Sequence, residues 1–121
     1  MSERPDVLTG VTYKARVPGV DAAMYVTITE MDGRIRELFI NSKDMPSFPW
    51  ISYLTRTVSK RLQEGADVQL LIDEMMQTHD TGGGYIVPKS KGFRAASVVA
   101  HIGWIIQQHL RRTATPGKTS A

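Results

Sequence analysis

The chain contains no cysteine. That absence removes disulfides, thiolate metal sites, thiyl radicals and dithiol relays from its own chemistry. No apolar stretch approaches the roughly 18 residues that a membrane-crossing helix needs, so no membrane partner is expected. No apolar run stands behind Met1 to Asp6 either, so the N-terminus does not read as a signal peptide, and a cytoplasmic location is the expectation. Charge of one sign is also scarce. Fifteen Lys and Arg against 12 Asp and Glu leave +3, mild for a nucleic-acid binder but compatible with phosphate-bearing ligands. Nucleic acid is therefore not expected as a partner. Internal repeats and a second composition regime are missing as well, which argues for one domain.

What is present fits that domain. A chain of 121 residues with 41% hydrophobic and 22% charged content can bury about two-thirds of its unfolded surface without staples. Residues 1–9 and 113–121 are polar and Pro-containing and read as disordered tails around a domain at 10–112. Gly10 to Val17 alternates, with Val11, Tyr13, Ala15 and Val17 on one face, which predicts a strand with one wet face. Ala23 to Met31 alternates again, Tyr25, Thr27 and Thr29 opposing Met24, Val26 and Ile28. Asp32-Gly33 is a strong hairpin signal, returning the chain as a third strand over Arg34 to Asn41.

Beyond the loop at 42–47 the period becomes helical. Ile51, Leu54, Val58 and Leu62 form the stripe, with Ser47 as N-cap, Pro49 in the first turn and Gly65 as the terminating glycine. Asp67 caps a short helix carrying Val68, Leu71, Ile72, Met75 and Met76. Residues 79–92 read as a long Gly-rich loop, and a last helix is predicted from about Phe93 to Leu110. The expected fold is α+β, a three-stranded antiparallel meander followed by three helices packed on one face of the sheet.

One segment stands out as a candidate ligand site. Gly82, Gly83 and Gly84 permit close backbone approach, and Lys89, Lys91 and Arg94 would crowd the start of the last helix, where free N–H groups and the dipole favour an anion. Tyr85 and Phe93 would stack on a base. The bland alternative is a solvated loop whose lysines oppose aggregation. The glycine spacing matches neither a Walker A nor a dinucleotide fingerprint. Arg56 and Lys60 share a helix face with Arg61 beside them, and with Arg111 and Arg112 they would widen a basic patch; a solvated face balanced by Glu64 is the alternative.

His101 and His109 are two turns apart, too far for a chelating pair, and no metal site is expected. Neither a hydrolytic triad nor a spaced acid/base pair is recognisable. No catalytic residue is assigned. Asn41, Ser42 and Lys43 sit at a strand end, as turn-shaping residues or as contacts. Trp50, Trp104, Tyr13 and Tyr25 read as core or interface aromatics, and Met45, Met75 and Met76 as gap fillers.

Several segments carry a family resemblance: Tyr13-Lys14, Tyr25 with Thr27-Ile28, Glu37 to Lys43, Leu54-Thr55-Arg56 with Ser59, Gly65 with Asp67-Val68, Gly82-Gly83, and Ile105-Ile106 with His109. In this order they resemble the C-terminal, TSCPD-type domain of adenosylcobalamin-dependent class II ribonucleoside-diphosphate reductases, over roughly residues 10 to 112. The resemblance implies a role beside nucleotide reduction. In those enzymes a cysteine in a large barrel makes the substrate radical and cysteine pairs deliver electrons; neither barrel nor cysteine exists here. Thr113 to Gly117 would be the remnant of the Thr-Ser-Cys-Pro-Asp stretch, with Thr115 at the cysteine position. Adenosylcobalamin would belong only to the full-length enzyme, and no cofactor is expected on this chain. Two functions follow from the resemblance. One is an accessory domain, not catalytic by itself, partnered with a reductase large subunit. The other is an independent module that binds a nucleotide or nucleotide signal, for example a phage-type sequestering or inhibitory protein, or that docks on a protein; a homodimer is expected.

Overall fold

Alternating side chains build the first sheet. In a computed structural model that describes residues 8–43 and 49–114, strands β1 (Thr9–Ala15), β2 (Met24–Met31) and β3 (Arg34–Ser42) pair antiparallel in the order β1-β2-β3. Met24, Val26, Ile28, Leu38 and Ile40 are buried on one face. On the other, Lys14 stands opposite Tyr25 and Thr12 opposite Thr27, while Tyr25 faces Asn41 and Thr27 faces Phe39 across the next strand pair. A hydroxyl contact of 2.8 Å between Thr12 and Thr27 ties β1 to β2 on that second face.

The β2–β3 turn follows its sequence signal. Asp32 and Gly33 have φ of 55° and 77°, the two positive values that a twisted two-residue hairpin requires. Further along, Thr29 pairs with Glu37 but Glu30 pairs with Ile35, so Arg36 is an extra residue in β3. Glu37 is thereby placed beside Thr29 and is only 6% exposed. Burial of a carboxylate is tolerable when it is hydrogen-bonded. Thr29 Oγ1 donates to Glu37 Oε1 at 3.2 Å and Gln63 Nε2 donates to Oε2 at 3.5 Å.

Helix α1 (Pro49–Gln63) begins with the proline, whose missing N–H costs nothing in a first turn. The Ser47 cap and Met45 lie outside the described residues. Ile51, Val58 and Leu62 are its buried positions, and it packs against β3. Gly65, at φ 91°, ends it: the Gly65 and Ala66 amides return to the Leu62 and Arg61 carbonyls at 3.1 and 2.9 Å. Ser59 joins helix to strand. Its Oγ accepts the Leu38 N–H at 3.0 Å and donates to the Leu38 carbonyl at 3.2 Å, closing part of a sheet edge that otherwise lacks backbone partners.

Contacts divide the chain into two compact units, one holding β1–β3 and α1, the other holding Arg16–Asp21 and the elements after Ala66. In the second unit, α2 (Val68–Met76) is capped by Asp67, which accepts the Gln69 N–H at 2.8 Å. It packs on α3 (Val98–Ala114), where Leu71, Ile72 and Met75 join Ile102, Ile105 and Ile106 in the buried set. Gly103 sets their approach: a Cβ there would stand 2.9 Å from Met75 Cβ.

Two expectations change. Residues 79–92 are not all loop, because β4 (Tyr85–Ile86) pairs antiparallel with β5 (Arg94–Ala95). Nor does the last helix start at Phe93. Ser97 caps it by accepting the Ala100 N–H at 3.0 Å, so the helix begins at Val98. The α+β class and the meander-then-three-helices order are as expected. No described helix is long and apolar enough to cross a membrane.

Removing the Ser59 hydroxyl strands a part-buried N–H and C=O. Ser59→Ala is expected to lower unfolding free energy by about 1–3 kcal/mol. Ser52→Ala, an exposed serine on the same helix, should stay within about 0.5 kcal/mol of wild type in the same urea titration.

Candidate functional site

The Gly-rich segment becomes a braced hairpin. Asp80 Oδ1 accepts the Gly82 and Gly84 N–H groups at 2.9 and 3.1 Å, so a carboxylate of the chain itself fills the amide cradle. Gly84 cannot be otherwise: at φ 78° a Cβ would lie 1.9 Å from the Ala95 carbonyl oxygen. Arg94 Nη2 donates to the Gly83 carbonyl at 3.0 Å, which ties the two sides together.

At the far end the turn is held by Ser90. Its hydroxyl donates to the Val87 carbonyl at 2.6 Å and accepts the Phe93 N–H at 2.9 Å, beside a Val87 N–H to Phe93 carbonyl bond of 2.8 Å. Lys89 and Lys91 flank it with φ of 62° and 61°, a left-handed backbone costing about 1 kcal/mol or more for each non-glycine residue. Both lysines are exposed. The hairpin thus presents two cations on a fixed turn.

Below the turn lies a small apolar cluster of Val87, Ala95 and Ala100, with Tyr85, Phe93 and Trp104 packed against it. Phe93 stacks on Trp104 with centroids 4.9 Å apart and planes 10° from parallel. Tyr85 meets His101 edge-on, and its hydroxyl lies 2.8 Å from Nδ1. His101 is 1% exposed, and burial pushes its pKa down to about 4. A neutral ring follows, and the tautomer sets which partner donates: the tyrosine hydroxyl to a bare Nδ1, or Nδ1–H to the phenol oxygen. Burial, then the charge of Asp80, raises the Tyr85 hydroxyl above its ordinary range.

This arrangement corrects the stacking and dipole expectations. Tyr85 and Phe93 are already engaged with His101 and Trp104, because a half-buried phenol needs a hydrogen-bond partner and the phenyl ring completes the cluster. Lys89, Lys91 and Arg94 do not open the last helix, which begins after β5 and the Ser97 cap. Of the expected site residues, Gly82 to Arg94 come together in one hairpin, whereas Arg56 is exposed on α1 in the first unit.

The profile of the TSCPD domain family matches residues 2–110. The chain belongs to that family. Comparison with curated proteins and with solved structures gives no significant match. Membership points to the C-terminal domain of ribonucleotide reductases, in a version without cysteine.

Residues behind the family resemblance have physical work in this TSCPD domain. Ser59 and Leu38 make the helix–strand clamp, and Gly65 and Asp67 end one helix and start the next. Thr55 Oγ1 is buried without a hydrogen-bond partner among the described residues. Tyr25 and Trp50 are exposed, which excludes the core half of their core-or-interface expectation; Tyr25 points from the wet face of β2. The Tyr85–His101 pair escaped sequence reading, although His101, Ile105 and His109 recur every fourth residue and so share a buried stripe.

The His101 geometry makes stability depend on pH with a definite sign. Its pKa is about 4 when folded and 6.5 as a free side chain, so the unfolded chain takes the proton first as pH falls. The contribution is intact above about pH 6.5 and lost progressively toward pH 4, by about 3 kcal/mol. His101→Gln should lack that increment when urea midpoints of the TSCPD domain and the variant are compared from pH 7 to 4.

Proposed function

We propose that this TSCPD domain is a non-catalytic accessory of ribonucleotide reduction, serving deoxyribonucleotide supply beside a cysteine-bearing large subunit. The observation that carries the reading is the family match over residues 2–110 in a chain with no cysteine. Radical generation and electron delivery need thiols, so both belong to another chain. By the family resemblance, adenosylcobalamin would belong to that other chain too. The expected result is co-purification of a reductase large subunit with the tagged chain from its native host, and faster nucleotide reduction when the two are mixed. A large subunit that neither binds the chain nor responds to it contradicts this reading.

A second reading is an independent module for a nucleotide or nucleotide-derived signal, including a sequestering or inhibitory role as a homo-oligomer. The braced turn with exposed Lys89 and Lys91 favours it, because the backbone that presents these cations is already ordered before a phosphate arrives. Lys91→Glu is the clean probe. Arg94→Glu would also break the Gly83 contact and loosen the hairpin. Calorimetry should show Lys91→Glu weakening nucleotide binding about tenfold or more while the melting curve is preserved. Absence of heat with ribonucleotides, deoxyribonucleotides and cyclic nucleotides in the wild type removes this reading.

A further inference from the structure

We propose that the open face of the β1–β2–β3 sheet binds single-stranded nucleic acid, with bases stacked on Tyr25 and Phe39 and the backbone drawn by Lys14. This goes beyond both functional readings and depends on neither. Strand register assembles the surface. Lys14, Tyr25 and Asn41 form one cross-strand row and Thr12, Thr27 and Phe39 the next. The Thr12–Thr27 hydroxyl contact and the Thr29–Glu37 hydrogen bond fix which side of each strand this is.

Tyr25 and Phe39 are 42% and 44% exposed, although the adjacent apolar residues Met24, Val26, Leu38 and Ile40 are buried. They are diagonal neighbours on adjacent strands, about 7–8 Å apart by sheet geometry, which suits two successive unstacked bases. Aromatic side chains on an open sheet accept any base, since every base has a π-face. The polar residues match that ligand. Lys14 lies beside Tyr25 to meet a phosphate, and Asn41, exposed on the other flank, offers an amide to a base edge.

Charge is graded along the face: the acid, Glu37, is buried and hydrogen-bonded at the far end, and exposed Lys43 follows β3 at the Tyr25 end. The net charge of +3 is too mild to signal a nucleic-acid partner, but here cations sit where the aromatics are. Two adjacent exposed rows suit a strand laid across them better than a single nucleotide, which needs a concave site.

The test is fluorescence anisotropy of the full chain with short labelled oligo-dT and oligo-U at about 50 mM salt and upward. Binding is expected to fall with salt, to weaken about tenfold in Tyr25→Ala or Phe39→Ala, and to survive in Tyr25→Phe, which keeps the ring. Lys14→Gln should reduce the slope of log affinity against log salt by about 0.7. Tyr53→Ala removes the tyrosine of α1, which is more exposed than Tyr25, and should bind as the wild type does. All four sites are exposed, so circular dichroism should report unchanged folding. Failure of the wild type to bind either oligonucleotide overturns the proposal, as does equal binding by the alanine variants. So does a wild-type dimer that Tyr25→Ala/Phe39→Ala converts to monomer, which would assign the face to a second copy.

Discussion

One serine closes a stretch of sheet edge: Ser59 takes the Leu38 N–H at 3.0 Å and returns its own proton to the Leu38 carbonyl at 3.2 Å. A helix side chain thus stands in for a fourth strand, and the position of α1 along β3 is fixed to one residue. The consequences run outward from that contact. Leu38 is held in the core, so Phe39 must point to the opposite face, and the β2 pairing then brings Tyr25 diagonally beside it. The Arg36 bulge resets the register ahead of the clamp and lets Glu37 lie beside Thr29. An apolar residue at 59 would bury part of the same helix face yet leave a backbone donor and acceptor unpaired.

The second unit solves a similar problem by different means. Its glycine segment offers backbone amides that would suit an anion, and Asp80 takes them internally. Its tyrosine and histidine form a neutral pair under the hairpin, a structural role for residues whose types suggest acid–base chemistry. What remains for a ligand is the turn itself, where Ser90 braces two exposed lysines. With cysteine absent, neither unit carries thiol chemistry.

The fold was legible where local chemistry decides it. Alternation gave the strands to within a residue or two, Asp32-Gly33 gave the hairpin, and Gly65 and Asp67 gave two helix ends. The site was less legible, for identifiable reasons. Strands β4 and β5 are two residues each, too short for periodicity to register. The last helix starts late because Ser97 turns out to be a better cap than anything near Phe93, and its hydroxyl also donates to the Thr78 carbonyl at 2.6 Å, a contact 19 residues distant. Tyr85 and Phe93 look like base-stacking residues in sequence because nothing local reveals His101 and Trp104 beneath them. Tyr25 is the reverse case. Alternation sets it opposite Met24 and Val26 but leaves core and interface roles open, and the fold exposes it.

The clamp is the claim on which the exposed aromatic face and the α1 packing rest, and amide hydrogen exchange reads it at one atom. In a native-state NMR measurement the Leu38 N–H should exchange as slowly as the buried amides of β2, despite facing away from that strand, because Ser59 and α1 shield it. Exchange of Leu38 at the rate of an unprotected peptide would contradict the account.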